Sequence, residues 1–300
     1  MARVLIIGCG DVGIALGRRL AAEGHLVYGL RRRANAVPPP MIALAGDVRD
    51  PRTLSDLPLV DYAFYLAAAD GYTDAAYRAV YVRGVANVLQ SLKDNTKLRW
   101  FVFASSTAVY GQQDGAWVDE TSATAPGGFS GRRLLEGERS VLGSPFPATV
   151  VRFAGIYGPG RRYLIERVRN GESCVGEPVL YTNRIHRDDC VGMLQHLMRL
   201  ERPAPCYVGV DSEPAAECVV MDWLAGQLKV APPRRIAAAN IAGFLQRANK
   251  RCRNARVRAS GYRFRYPTFR EGYLAVIAGL EGGEAGDPLG PAKGNVGCPG

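Results

Sequence analysis

The sequence of 300 residues contains no run of 18 apolar residues, so no helix is expected to cross a membrane. Its first apolar stretch, residues 3–7, is cut by Gly8 and Gly10. That is too short for the core of a secretory signal, so export is not expected and a cytoplasmic location is. Seven cysteines (Cys9, Cys174, Cys190, Cys206, Cys218, Cys252, Cys298) stand without a C-x-x-C pair. Their odd number and scatter predict reduced thiols and no zinc or other metal site. Internal repeats and heptads are absent. Acidic residues are scarce in one telling place, since neither Asp nor Glu occurs between Gly24 and Gly46. Over the whole chain 38 Lys and Arg outweigh 28 Asp and Glu, for a net charge of +10. The basic residues are dispersed, apart from Lys250-Arg251-Cys252-Arg253 continuing to Arg256 and Arg258, which reads as a loop. Dispersal fits a solvated surface with a few arginines for anionic ligands, so a nucleic-acid partner is not expected.

What is present is organised around the first thirty residues. Residues 3–7 read as a buried parallel strand, 14–23 as a helix and 26–30 as a second strand. Between the first two lies Gly8-Cys9-Gly10-Asp11-Val12-Gly13. A G-x-G-x-x-G turn in this setting is a dinucleotide-binding fingerprint. Gly8 permits the tight turn, Gly10 lets the backbone approach a pyrophosphate, and Gly13 allows close helix–strand packing. The backbone of Gly8, Gly10, Asp11, Val12 and Gly13 would cradle the anion at the helix N-terminus. After the second strand come Arg31-Arg32-Arg33, where an NAD site usually carries an acid for the ribose. Arg31 first, with Arg32 beside it, is the candidate for the 2′-phosphate of NADP, and NADP is favoured over NAD. The plain alternative is three arginines solvating a loop before Pro38-Pro39-Pro40.

Further strands are predicted over 41–45, 60–67, 98–104, 147–153 and 206–210. Helices are predicted over 51–57, 72–93, 161–170, 189–200 (with Asp188 as its cap), 214–229, 237–248 and 269–280. Alternation of this kind predicts an α/β, Rossmann-like doubly wound parallel sheet with a small, mostly helical C-terminal lobe. The expected division is a dinucleotide domain over 1–160, with 183–200 packing back on it. A substrate lobe would span 161–182 and 201–280 and close a cleft over the nicotinamide end. A disordered tail is expected over 281–300.

The fifth strand ends in Ser105-Ser106-Thr107-Ala108-Val109-Tyr110-Gly111. Together with the glycine turn, Gly46-Asp47, Val151-Arg152, Gly155-Ile156-Tyr157-Gly158-Pro159-Gly160 and Arg184-Ile185-His186-Arg187-Asp188-Asp189, it forms an ordered set. That set resembles the extended short-chain dehydrogenase/reductase superfamily, and within it the NAD(P)-dependent epimerase/dehydratase family of nucleotide sugars. The resemblance implies that Asp47 and Val48 contact the adenine and that Ala67, Ala68 and Ala69 line the nicotinamide-ribose side. It implies that Ser106, with Thr107, polarises a substrate oxygen. Arg161, Arg162 and Arg184 could grip a diphosphate, with plain surface charge as the equal alternative, and His186 is a substrate-side candidate, although a helix cap or packed ring explains it too.

The departures from the family are specific. Its Tyr-x-x-x-Lys pair would fall on Phe129 and Arg133. No lysine occurs between Lys97 and Lys229, and no Tyr has a Lys four residues later. Phe129 has no proton to give, and Arg133 can hold a ribose hydroxyl but stays charged. Tyr81 stands where the family has an Asn. These features resemble an atypical, tyrosine-poor branch. Two functions follow. One is an NADP-dependent oxidoreductase or nucleotide-sugar epimerase with a non-standard site, acting on a small molecule, with Tyr110 or His186 as a replacement acid. The other is a catalytically inactive NADP-binding sensor or scaffold. A homodimer is an open expectation for either.

Overall fold

The structure is a computed structural model and describes residues 1–237 and 249–281. The helix expected over 237–248 and the tail over 281–300 fall, but for their first residues, outside it. In chain order the elements begin β1 (Arg3–Ile7), α1 (Asp11–Ala22), β2 (Leu26–Arg31), β3 (Ile42–Ala45) and β4 (Tyr62–Tyr65). Next come α2 (Asp74–Tyr77), α3 (Val85–Ser91), β5 (Trp100–Ser106), β6 (Ala116–Val118), α4 (Phe129–Leu142), β7 (Ala148–Phe153) and β8 (Gly155–Tyr157). They are followed by α5 (Tyr163–Arg169), β9 (Cys174–Glu177), β10 (Tyr181–Thr182), β11 (Arg184–His186), α6 (Arg187–Arg199) and β12 (Cys206–Gly209). The chain closes with β13 (Ala215–Ala216), α7 (Glu217–Leu228), β14 (Arg235–Ala237), β15 (Lys250–Cys252), α8 (Ala255–Ala259) and α9 (Phe269–Glu281).

One sheet has the order β12-β7-β5-β4-β1-β2-β3. Its pairs β2/β3, β1/β2, β1/β4 and β4/β5 are parallel. The aliphatic run Val4-Leu5-Ile6-Ile7 is wholly buried at its centre, as expected for a strand covered on both faces. Strand order reverses between β1 and β4, and the crevice outside the carboxyl ends of two such strands is where open α/β sheets bind ligands.

The chain divides into two compact units. The first comprises Met1–Val109, Gly128–Arg152 and Cys190–Tyr207. The second comprises Tyr110–Gly127, Phe153–Asp189 and the described residues from Val208 on. It contains short pairs, β8/β11, β9/β14 and β6/β15 parallel and β10/β13 antiparallel, with α5, α7, α8 and α9. Ile165, Met221, Leu224, Phe269, Tyr273 and Ile277 make its apolar core.

Three local expectations are corrected. The helix read over 72–93 is interrupted, because Arg78–Gly84 is wound as a π-helix between α2 and α3. The buried Tyr65 hydroxyl at the end of β4 donates to the Val80 carbonyl at 2.6 Å, and a side chain inserted into a helical ladder is a known cause of such a change. The basic cluster is not a loop. Lys250 and Cys252 are buried in β15, whose register pairs Lys250 with Ala116, and Ala255–Ala259 is helical. Alternation along a strand hides every second residue whatever its charge. The thiols are not all reduced, since Cys174 on β9 and Cys218 on α7 form a disulfide. Their Cα atoms are 5.4 Å apart across a separation of 44 residues, a proximity that only strand–helix packing creates.

Candidate cofactor and active site

Every residue singled out for the cofactor lies in the first unit. Helix α1 starts at Asp11, three residues earlier than expected, so Asp11, Val12 and Gly13 form its first turn with Gly10 as N-cap. No side chain caps this helix. Gly8 has φ +87°, and a Cβ there would lie 2.3 Å from the backbone of Ala67 just beyond β4. Gly10 is the reverse case. Its φ of −92° suits any residue, and a Cβ would meet nothing within 4 Å. A turn packed tight against β4 on one side and bare at Gly10 on the other is the shape that a pyrophosphate needs. The residues present therefore fit a dinucleotide.

The arginines at the end of β2 divide. Arg31 is half-buried, and its guanidinium donates to the Ala36 carbonyl at 3.2 Å. Arg32 is exposed and forks onto Asp70 at 2.7 and 2.6 Å. Asp70 also takes Arg49, which forks onto Asp47 at distances from 2.6 to 3.0 Å. Arg49 holds the Asp47 carboxyl below its ordinary value, and Arg32 does the same to Asp70. Asp47 thus stands in an Arg32–Asp70–Arg49–Asp47 chain beside the adenine candidates. Val48 is buried, with its carbonyl bonded by Asn87 at 2.8 Å. Asp70 and Arg49 were missed because no motif marks them.

Ala67 and Ala69 are half-buried and Ala68 is exposed, all following β4. Ser106 ends β5, and its Oγ accepts the Ala108 N–H at 3.2 Å. The hydroxyl proton is then left to donate elsewhere. Thr107 is buried, and Ser105 points inward to Glu138 at 2.6 Å. Arg133 on α4 forks onto Asp74 at 2.8 and 2.9 Å and reaches Glu136 at 2.6 Å. N–H groups on its terminal nitrogens remain over. Phe129 packs its ring on Tyr72 and Tyr77.

The substrate-side candidates lie in the second unit. Arg161 sits on the turn with Gly158, bridged through the backbone. Arg184 on β11 is buried, lies over the Phe269 ring, and leaves Nη1 without a partner among the described residues. His186 is buried, and its Nδ1 accepts the Asp188 N–H at 3.1 Å, so the ring rather than Asp188 caps the first turn of α6. Burial lowers its pKa, consistent with a neutral imidazole. Tyr110 is buried and donates to the Asp119 carbonyl at 2.7 Å. Neither proposed replacement acid is presented to solvent.

Near Arg184 lies a group the sequence did not flag. Asp211 is 1 % exposed, with Oδ2 unpartnered among the described residues, and burial pushes its carboxyl up to about 7 against the pull of Arg184. A carboxyl raised on folding contributes stability at pH below its unfolded value, and that contribution is lost as pH rises through about 7. Asp211→Asn is expected to gain thermal stability over the natural protein between pH 5 and pH 8.5, by on the order of 4 °C. The quantity to read is the change in the Tm difference with pH. A difference that stays constant would show that Asp211 is already ionised in the fold.

Comparison with known proteins agrees with this geometry. Residues 4–184 match the model of the NAD dependent epimerase/dehydratase family. The chain is 27% identical over 248 residues to Protein YeeZ of Escherichia coli K12, covering 78% of this chain and 86% of that one. It is 34% identical to a solved structure from Methylobacillus flagellatus assigned to the NAD-dependent epimerases/dehydratases, with TM-score 0.78 over 93% of this chain and 99% of that one. The Bordetella bronchiseptica enzyme WbmG, solved with NAD and UDP, shares the fold at TM-score 0.78 and 19% identity, over 94% of this chain and 95% of that one. A glycine turn at the switch point of a doubly wound sheet, matched in order by the later motifs, leads to one assignment: the chain belongs to the NAD-dependent epimerase/dehydratase family.

Proposed function

We propose that the protein is an NADP-dependent oxidoreductase or epimerase acting on a nucleotide sugar through a non-standard active site. The observation that carries this reading is the uncapped α1 N-terminus, open at Gly10, with Arg31 at the end of the neighbouring strand. In this reading Gly8, Gly10, Asp11, Val12 and Gly13 hold the pyrophosphate and Asp47 and Val48 flank the adenine. Arg31 forks onto the 2′-phosphate, while Arg32, engaged by Asp70, sets the local charge. Ala67 to Ala69 leave room for the nicotinamide ribose, and Arg133 offers a ribose hydroxyl its spare N–H groups. The bound dinucleotide would supply hydride chemistry. Ser106 would donate to the substrate oxygen on which charge develops.

The family, the fold neighbours solved with nucleotide or UDP-glucose, and the basic balance support a diphosphate-bearing substrate. Arg161 and Arg184 are the arginines proposed for it. A cytoplasmic protein would meet both the reduced cofactor and such sugars. A second reading, an inactive NADP sensor, is favoured by Phe129 and by the fastening of Arg133 to Asp74 and Glu136.

Calorimetric titration separates the cofactors. NADPH is expected to bind at least ten-fold more tightly than NADH. Arg31→Ala is expected to remove most of that preference, since a charge-assisted fork contributes about 1.5–3 kcal/mol. Equal affinities for both cofactors in the natural protein would refute the phosphate role of Arg31.

A further inference from the structure

We infer that Tyr72 supplies the phenol that the Phe129 position lacks, acting as the proton-transfer group of this site. The inference rests on the proposed dinucleotide site and adds a residue to it. Tyr72 lies on the segment joining β4 to α2, three residues past Ala69. That segment is anchored to the glycine turn at its start, where Ala67 leaves no space for a Cβ on Gly8. It is anchored to α4 at its end, where Asp74 grips Arg133. Between those anchors the Tyr72 ring packs on Phe129 at 4.8 Å between centroids, and its hydroxyl lies 3.4 Å from Ser130 Oγ.

The phenol therefore stands over the first turn of α4, beside the side chain that replaces the expected tyrosine. It is 39% exposed, whereas Tyr110 and His186 are buried, with the Tyr110 hydroxyl donating to the Asp119 carbonyl and His186 Nδ1 accepting the Asp188 N–H. A proton donor must reach its substrate, and of these three only Tyr72 is open to one. Arg133, on the same helix as Phe129, is held by the carboxylates of Asp74 and Glu136. The step balances without a further reagent. The Tyr72 phenolate takes the proton of a secondary alcohol as the O–H bond breaks. A bound dinucleotide would accept the C–H electron pair as hydride, leaving the carbonyl. In the reverse direction the Tyr72 phenol would return its proton to the carbonyl oxygen while the dinucleotide supplied the hydride.

The test reads the phenol directly and needs no sugar substrate. Tyrosine ionisation is followed by ultraviolet difference spectra against pH, for the free protein and at saturating NADP+ or NADPH, with occupancy checked by calorimetry. The oxidised ring is cationic and lowers the pKa of a phenol beside it. With NADP+ one tyrosine is expected to ionise about one pH unit lower than in the free protein, and with NADPH by much less. The step should vanish in Tyr72→Phe, which keeps the ring stack, and persist in Tyr77→Phe, which removes the neighbouring hydroxyl. If NADP+ binds but no phenol shifts, or the shift survives in Tyr72→Phe or is lost in Tyr77→Phe, the assignment is overturned while the cofactor site stands. If neither dinucleotide binds, the cofactor site itself is refuted and the inference goes with it.

Discussion

Replacing Arg152 by Met is expected to lower the unfolding free energy by about 3–5 kcal/mol, a large share of the roughly 5–15 kcal/mol typical of a domain. Glu138 on α4 is 2% exposed and Arg152 on β7 is 8% exposed. The guanidinium reaches both carboxylate oxygens, with Nε at 3.0 and 3.3 Å and Nη2 at 2.7 Å. Ser105 on β5 adds a third donor at 2.6 Å. Removing the cation leaves a buried carboxylate with Ser105 and little else, and desolvation then dominates. Replacing both charges, as in Glu138→Leu/Arg152→Met, is expected to recover most of the loss, because the attraction between the charges roughly offsets their joint desolvation. Chemical denaturation of the two variants decides the matter. A single variant within about 1 kcal/mol of the natural protein would mean that water or another group already compensates Glu138. The triad also ties the end of β5, where Ser106 lies, to the helix that carries Arg133.

Gly8→Ala should cost both fold and cofactor, and Gly10→Ala cofactor alone. At Gly8 a side chain must accept φ +87° and a Cβ 2.3 Å from the Ala67 backbone. Left-handed strain costs about 1–2 kcal/mol and an overlap with rigid backbone another 1–3. Stability should fall by roughly 3 kcal/mol, and NADPH affinity by on the order of 100-fold, because the turn must open. At Gly10 the backbone is ordinary and the space empty, so the added methyl should change stability by less than about 0.5 kcal/mol. It would still stand where the pyrophosphate approaches, and affinity should drop ten-fold or more. Thermal melts paired with NADPH calorimetry read both quantities. A Gly10→Ala protein with natural affinity would show that no phosphate comes near this turn.

The clearest part of the fold in the sequence was the part built from neighbours in the chain. Strand β1 was expected at the residues where it occurs, and β2 only one residue shorter, because an aliphatic run between turn residues has few other uses. Helix α1 begins earlier than expected, since the last three residues of the glycine motif, Asp11 to Gly13, already form the first helical turn. The helix over 72–93 was less legible. Its pattern is helical throughout, and the π-wound stretch depends on a hydroxyl from β4 that no local pattern announces. Lys250 and Cys252 misled for the opposite reason. A basic run looks like a solvated loop until a partner strand is known, and β6 is that partner.

The sequence by itself determined the strand–turn–helix that opens the chain, the parallel alternation that follows, and the residue types offered to a dinucleotide. Each of these is set by backbone conformation and hydrophobic period within a few residues. Tertiary structure alone decided which charges and hydroxyls meet. Arg32 finds Asp70 across 38 residues, Arg133 finds Asp74 across 59, and Tyr72 reaches Ser130 across 58. Ser105 finds Glu138 across 33, and Cys174 bonds Cys218 across 44. Such pairs depend on which elements the packing places side by side, and that ordering comes from the burial of whole strands and helices rather than from the residues that happen to meet.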